Sequence, residues 1–418
     1  MLIFQELSLV PDLSVAENIY LGSLPMKGFR VDWKKLYADA DAVLRELNIP
    51  VSSKTPVSAL PIAQQQMVEI ARGIALGAKI LVLDEPTSSL TEREKNILFD
   101  NVRKLKAKGV GVFYISHKMD EIFEISDRVY VFRDGQNTGV FNTKDITLDD
   151  IVKAMIGRSM DSYYPKNDAE PGEEVLRVEK LTIKGLFKDI TFSVRKGEVL
   201  GFYGLVGAGR TEIMETIFGI RKPDSGKIYL NGEEVNIRSS VDAVAHKIGF
   251  VTEDRKVQGL VLEHSCRSNM VLPILPKIRK GLFVDDKKTF EIYQDYHEKL
   301  NIKTPSSEQE VGKLSGGNQQ KVILGKWLSI GPDLLILDEP TRGIDIGAKA
   351  EIYKLIVDLA KQGMAVIVIS SEMPEIMGIS NRIIAVAQGI QTGELKEGDI
   401  TEEKLIRAIT IADSSMSA

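Results

Sequence analysis

The feature that most constrains the fold is an internal repeat. Leu81-Val82-Leu83-Asp84-Glu85-Pro86-Thr87 recurs as Leu335-Ile336-Leu337-Asp338-Glu339-Pro340-Thr341, an offset of 338 − 84 = 254. At the same offset, Leu60-Pro61-Ile62-Ala63-Gln64-Gln65-Gln66 aligns with Leu314-Ser315-Gly316-Gly317-Asn318-Gln319-Gln320, and Ile115-Ser116-His117 with Ile369-Ser370-Ser371. Three matches at one offset mean that one structural plan is used twice. The length of 418 residues, too large for one ordinary core, agrees.

The upstream part of the second copy has no counterpart in the first. Gly204 would map to 204 − 254 = −50, and Glu174, near which the second copy begins, to −80. Roughly 80 residues of the first copy, with core strands and a glycine-rich loop among them, are therefore expected to be absent. The join lies in Tyr163-Tyr164-Pro165-Lys166-Asn167-Asp168-Ala169-Glu170-Pro171-Gly172, polar and interrupted by prolines, which reads as a linker. The expected division is a first copy over 1–160, a linker over 161–173 and a second copy over 174–418.

Each copy reads as α/β. Leu334 to Leu337 and Ala365 to Ile369 are continuous apolar runs, as buried parallel strands require. Val199-Leu200-Gly201-Phe202 is a short apolar strand that leads into a glycine-rich turn and then a helix from Thr211. Residues 10–55 and 255–310 are more charged and helical in pattern, and are expected to form inserted helical subdomains. The net charge of −5 gives no bulk reason to expect nucleic acid or an anionic surface as partner, although local basic patches remain open. Cys266 is the single cysteine, so no intrachain disulfide can form. No apolar run approaches the roughly 20 residues that span a bilayer. The start, Met1 to Glu6, makes a poor signal peptide, so a role at a membrane is expected to come through a membrane-embedded partner.

The segment Gly204-Leu205-Val206-Gly207-Ala208-Gly209-Arg210-Thr211 has phosphate-loop spacing, with arginine where lysine is usual. Glycines let backbone N–H groups converge on phosphate oxygens, and the following helix N-terminus adds positive potential. Thr211 is expected to coordinate Mg²⁺. A glycine-rich turn alone is weak evidence, but this one follows a strand, opens a helix and precedes an aspartate at a strand end. Asp84 and Asp338 are those strand-end aspartates, placed to hold Mg²⁺ through water. Glu85 and Glu339 follow them, where a general base could polarise an attacking water. One Asp-Glu pair could be a solvated acidic pair; two copies, each followed by Pro-Thr, point to chemistry. Ser315 is expected to cap the helix that follows it, with the exposed amides of Gly316 and Gly317 facing an anion. His117 follows an apolar strand, which favours a hydrogen bond to a γ-phosphate, and Ser371 in the second copy loses that option. His246, His264 and His297 show no metal-ligand spacing, and Cys266 reads as an ordinary small residue.

Together these motifs resemble the ATP-binding-cassette family over essentially the whole chain. Leu314 to Gln320 resembles its signature sequence, with Asn318 and Gln319 inside it; residues 84–87 and 338–341 resemble its Walker B strands and Gln5 its Q-loop glutamine. The Thr-Glu-Asp-Arg run at 252–255, Asn318-Gln319-Gln320-Lys321 and the Ser-Ser-Glu-Met-Pro-Glu run at 370–375 resemble the twin-cassette ATPase subunits of bacterial ribose, galactose or methylgalactoside, and xylose importers. Gly157-Arg158-Ser159-Met160 resembles the galactose/methylgalactoside branch. The resemblance implies two tandem P-loop cassettes, each with a parallel-sheet core and a helical insertion, the first one incomplete. It implies ATP and Mg²⁺ as ligands, integral-membrane permease subunits as partners, and indirectly an extracytoplasmic sugar-binding protein. The implied location is peripheral, on the cytoplasmic face of the cell membrane.

The resemblance also implies a head-to-tail arrangement in which each ATP lies between one cassette's phosphate loop and the other's signature. One such site would join Gln5, Asp84, Glu85 and His117 with Ser315, Gly316 and Gly317. The other would join Gly204 to Thr211, Asp338 and Glu339 with the degraded signature Pro61-Ile62-Ala63, and carries Arg210, Glu253 and Ser371 at positions where the family has lysine, glutamine and histidine. These departures set against transport a catalytically dead fragment of such a subunit, a nucleoside importer ATPase, and a soluble twin cassette acting in translation. The last would be expected to carry a long charged helical linker, unlike residues 160–173.

Overall fold

Uninterrupted apolar strands need cover on both faces, and the second half of the chain supplies it. In the computed structural model, which describes all residues except 4–7, 88–89, 117, 134, 157–162, 206 and 411–418, the chain divides into two units, Met1–Met155 and Ile156–Ala418. In the second unit the strands Ile248–Val251, Leu334–Asp338, Ala365–Ile369, Val199–Tyr203 and Arg382–Ala387 lie side by side in that order, all parallel. Every residue of the first four is buried. Helices bring the chain back between parallel neighbours, so the sheet is covered on both faces. Beyond Arg382–Ala387 the strand Ile390–Lys396 pairs antiparallel, meets Phe187–Arg195 in parallel at Ile390 and Lys188, and the sheet continues antiparallel through Glu174–Ile183, Ser225–Leu230 and Glu233–Val235. Phe202, Ile213, Met214, Phe250, Ile336 and Ile367 belong to its core.

The expected helical insertion of this unit is present between Val251 and Leu334, with helices Cys266–Val271 and Asp286–Lys299 and a hairpin between them. The tyrosines of the expected linker are not free spacer. Tyr163 and Tyr164 pack on Tyr353 of the second unit, with ring centroids 5.4 and 5.2 Å away.

The first unit repeats the scheme in smaller form. Strands Leu2–Ile3, Ile80–Asp84 and Gly111–Ile115 are parallel in that order, and Arg128–Arg133 and Gln136–Asn142 form a separate antiparallel pair. Phe113 and Ile115 are 59% and 50% exposed, whereas their repeat partners Ile367 and Ile369 are fully buried. The difference has a local cause. Val199–Tyr203 pairs with the outer edge of Ala365–Ile369, and among the described residues of the first unit no strand pairs with that edge of Gly111–Ile115.

The insertions repeat to the level of single hydrogen bonds. Asn18, fully buried, donates to Val10 O, Leu13 O and Ser14 O and accepts from Val10 N at 2.8 Å. Asn269, also fully buried, donates to Val261 O, His264 O and Ser265 O and accepts from Val261 N at 2.8 Å. Each amide ties a loop to the first turn of the helix that carries it, and both its oxygen and its nitrogen are engaged, as burial requires.

Candidate nucleotide site

The glycine-rich loop leaves the strand Val199–Tyr203 where no side chain fits: a Cβ on Gly204 would lie 2.1 Å from Val386 O. Gly207 and Gly209 have φ of 82° and 96°, a left-handed backbone that glycine adopts without strain. Gly209 is the N-cap of the helix Arg210–Ile217, whose unpaired first-turn N–H groups face the space that the glycines leave. Leu205 is 67% exposed, and Val206 lies outside the described residues.

Thr211 Oγ1 donates to Asp338 Oδ2 at 2.7 Å, so the loop helix and the Leu334–Asp338 strand end meet as expected. Asp338 is 1% exposed, and burial pushes its carboxyl up to about 7, opposed by the Thr211 hydroxyl. Its other oxygen, Oδ1, is buried without a hydrogen-bond partner. A buried carboxylate oxygen left open beside a threonine hydroxyl suits a divalent cation, which would supply the missing partner and hold the group ionised. Among the described residues no group of three His, Cys, Asp or Glu side chains is placed to hold a metal ion. The set therefore fits a cation completed by phosphate oxygens rather than one caged by protein.

Glu339 follows with φ of 46°, unusual for a residue with a side chain, and its N–H donates to Ile369 O at 2.9 Å. Glu85 in the first unit repeats both features, with φ of 45° and a bond to Ile115 O at 2.9 Å. Burial raises the Glu339 carboxyl, and Arg210 and Ser371 oppose the rise. Arg210 is 7% exposed; its Nη1 donates to Ser370 O at 2.7 Å and its Nη2 lies 3.7 Å from Glu339 Oε1. The arginine that replaces the usual lysine is thus turned from the loop toward the strand ends. Residues Gly207 to Glu212 on one side and Glu253, Asp338, Glu339, Arg342 and Ser371 on the other enclose a cavity of about 370 Å³.

The signature turn is built differently from expectation. Ser315 sits at the N-cap of the helix Gly316–Leu328, but its side chain makes no capping bond; its Oγ accepts from Asn318 Nδ2 at 3.0 Å. Asn318 reaches back because its Oδ1 also accepts from Lys303 N at 2.7 Å. Gly317 is buried rather than exposed, and a Cβ there would lie 2.7 Å from Ala348 Cβ. Gln319, expected to face nucleotide, is 5% exposed, and its Nε2 lies within hydrogen-bond distance of Val311 O, Gly312 O and Leu314 O. It secures the loop before the turn. Ser315 and Gly316 remain the accessible part of this motif.

In the first unit Asp84 and Glu85 end the strand Ile80–Asp84 as expected, both half-buried. Gln5 and His117 lie outside the described residues. One pair of buried carboxylates beside the strand ends has a role the sequence did not disclose. Glu375, 1% exposed, accepts from Thr341 Oγ1 at 2.9 Å and from Ser370 Oγ at 2.5 Å. Glu121, also 1% exposed, accepts from Thr87 Oγ1 at 2.7 Å, Ser116 Oγ at 3.1 Å and Tyr114 Oη at 2.8 Å. Each carboxylate ties the threonine of the Asp-Glu-Pro-Thr loop to the end of the next strand. The offset 375 − 121 = 254 is the signal that would have found the pair.

A glycine-rich loop at a helix start, with a threonine bonded to a strand-end aspartate under a parallel sheet, defines a phosphate-loop nucleotide-binding protein. The profile of the ABC transporter family matches residues 1–88 and 187–342, and the chain belongs to that family. The ribose import ATP-binding protein RbsA of Caldanaerobacter subterraneus is 49% identical over 407 residues, 97% of this chain and 82% of the relative. The protein of the same name from Geobacillus kaustophilus is 48% identical, over 98% of this chain and 83% of the relative. Both alignments run through nearly all of this chain. A nucleotide-free ATP-binding cassette from an ABC transporter shares the fold at a TM-score of 0.50 and 19% identity, over 56% of this chain and 98% of its own. A second ATP-binding cassette of an ABC transporter does so at 0.50 and 21%, over 57% and 99%. No helix among the described residues is long and apolar enough to cross a membrane.

Proposed function

We propose that the chain is the ATP-binding subunit that energises carbohydrate import through an ABC transporter. The observation that carries this reading is its near-full-length likeness to proteins named for ribose import, joined to a phosphate loop whose threonine meets the strand-end aspartate. The amides of Gly207 to Thr211 bind the nucleotide's phosphates. Thr211 and Asp338 would hold Mg²⁺, which would offset the charge of the phosphates. Asp84 holds Mg²⁺ and Glu85 orients water in the first cassette; Gln5 and His117 complete that set. Ser315 and Gly316 meet a nucleotide carried by another cassette.

The second cassette binds ATP without efficient hydrolysis. Arg210 spends its charge on Ser370 O and Glu339, so Glu339 is poorly placed to polarise a water, and Ser371 offers no imidazole to the γ-phosphate. The subunit works at the cytoplasmic face of the membrane, on permease subunits served by an extracytoplasmic sugar-binding protein. Uptake of labelled ribose, galactose and a nucleoside by cells lacking this gene, with and without a plasmid copy, tests the reading. Gene-dependent sugar uptake is expected; dependence of nucleoside uptake alone, or of none, overturns it.

A further inference from the structure

Both helical insertions end in the same exposed device. In the first unit Met26–Lys27 pairs with Arg30–Val31, and in the second Arg279–Lys280 pairs with Phe283–Val284. Two residues close each hairpin, a glycine followed by a large apolar residue: Gly28-Phe29 and Gly281-Leu282. The glycines have φ of 63° and 66°, and no positive φ occurs at Phe29 or Leu282, which is the pattern of a type II′ turn. That turn carries its second side chain at the tip. Phe29 is fully exposed (103%) and Leu282 96% exposed, with Phe283 at 79% and Met26 at 58% beside them. Phe29 and Leu282 bury almost none of their surface, and exposing them costs solvation.

The charges around the tips are predominantly positive. Residues 27–35 hold Lys27, Arg30, Lys34 and Lys35 against Asp32, a net of +3, and residues 277–288 hold Lys277, Arg279, Lys280, Lys287 and Lys288 against Asp285 and Asp286, also +3, in a chain of net −5. The acids are engaged at the hairpin bases. Asp32 and Asp285 cap the following helices, and Asp286 pairs with Arg267 at 2.8 Å. Among the described residues, Lys27, Arg30, Arg279 and Lys280 have no carboxylate within ion-pair distance. Between the copies the residues at the tip change, Phe29-Arg30 against Leu282-Phe283, while the class, an apolar tip in a basic collar, is kept.

We propose that each hairpin docks on the anionic lipid surface of a bilayer, its apolar tip entering the headgroup region and its basic collar meeting lipid phosphates. A lipid surface needs an apolar wedge and positive charge but no fixed register of side chains, which suits two tips of equal class and unequal sequence. The broad flat apolar face that docks a protein partner is not what these tips present. The proposal rests on the carbohydrate-import reading only for its setting at a membrane, and protein-free vesicles test it apart from uptake.

The test is cosedimentation of the full chain with vesicles of phosphatidylcholine alone or with about one-third phosphatidylserine, at low and physiological salt. Binding to the anionic vesicles only, weakened by salt, is expected. Lys27→Gln with Lys280→Gln should weaken it about fivefold per charge removed. Phe29→Ser with Leu282→Ser and Phe283→Ser should abolish it, with Mg-ATP affinity unchanged as the check on folding. Absence of binding to anionic vesicles, equal binding by the variants, or binding only to vesicles that contain permease overturns the proposal; the last outcome would make the tips protein-docking elements.

Discussion

Replacing Glu375 by glutamine should stabilise the second unit at pH 8 and slightly destabilise it at pH 5. Burial pushes this carboxyl up to about 7 from an ordinary value of 4.5; the neighbouring Glu372 adds to the rise, while the Ser370 and Thr341 hydroxyls and Lys349 oppose it. Tyr163, Tyr164 and Tyr353 pack together; burial raises their hydroxyls, and Glu375 lies close enough for its charge to add to the rise. Between pH 4.5 and 7 the folded chain keeps a proton that the unfolded chain has released, so stability falls as pH rises through that window. The rise from 4.5 to about 7 corresponds to at most about 3 kcal/mol. Glutamine removes the titration, but its NH₂ cannot accept from one of the two hydroxyls, which costs about 1 kcal/mol. The net expectation is about +2 kcal/mol at pH 8 and only slightly below zero, by less than about 0.5 kcal/mol, at pH 5, where the unfolded carboxyl is already mostly ionised. For a unit of this size that is an upward shift of about 4–8 °C at the higher pH. Thermal unfolding of the full chain at both pH values, following the transition that Mg-ATP raises, reads the effect. A glutamine variant less stable than the parent at pH 8, or one with the parent's pH slope, would refute the reasoning.

The site yields further expectations. Gly209→Val should abolish Mg-ATP binding measured by calorimetry, since its φ of 96° disfavours a side chain and the added atoms enter the phosphate space. Thr211→Ala should leave ATP binding without Mg²⁺ nearly unchanged and weaken binding with Mg²⁺ about tenfold, a loss absent if Asp338 alone holds the ion. Asn269→Ala should cost about 1–3 kcal/mol by leaving the Val261 amide unpaired, while the three carbonyls keep their backbone partners, and denaturant unfolding with an unchanged midpoint would contradict that.

What the sequence disclosed and what it hid follow from the range of the interactions. The phosphate loop, the strand-end acids and the repeat are local strings, so residues 204–211 and 335–341 declare themselves without knowledge of the fold. Gln319 misleads because its string matches a nucleotide-facing motif while the turn at Ser315 swings its amide back onto the carbonyls of Val311, Gly312 and Leu314. Asn18 and Asn269 hide for another reason. They are 269 − 18 = 251 apart, three short of the offset that aligns the catalytic strings, because the insertions differ in length.

Glu121 and Glu375 keep the full offset, and their case shows how far a repeat constrains chemistry. Their geometry is the same: a threonine 34 residues upstream donates to each, as does a serine five residues upstream. Their protonation differs. Burial raises both, but at Glu121 the Thr87 and Tyr114 hydroxyls, Lys118 at 3.4 Å and Ser116 outweigh it and hold the carboxyl below its ordinary value. In the second copy Val368 stands in place of Tyr114 and Glu372 in place of Lys118, and the carboxyl rises. Deeper burial, together with these two substitutions, thus turns an ionised clamp into one that gains a proton near neutrality. The copies share a clamp because the strands and hydroxyl donors are shared, and they diverge in chemistry because the strand Val199–Tyr203 covers the second and because one hydroxyl and one ammonium are not shared.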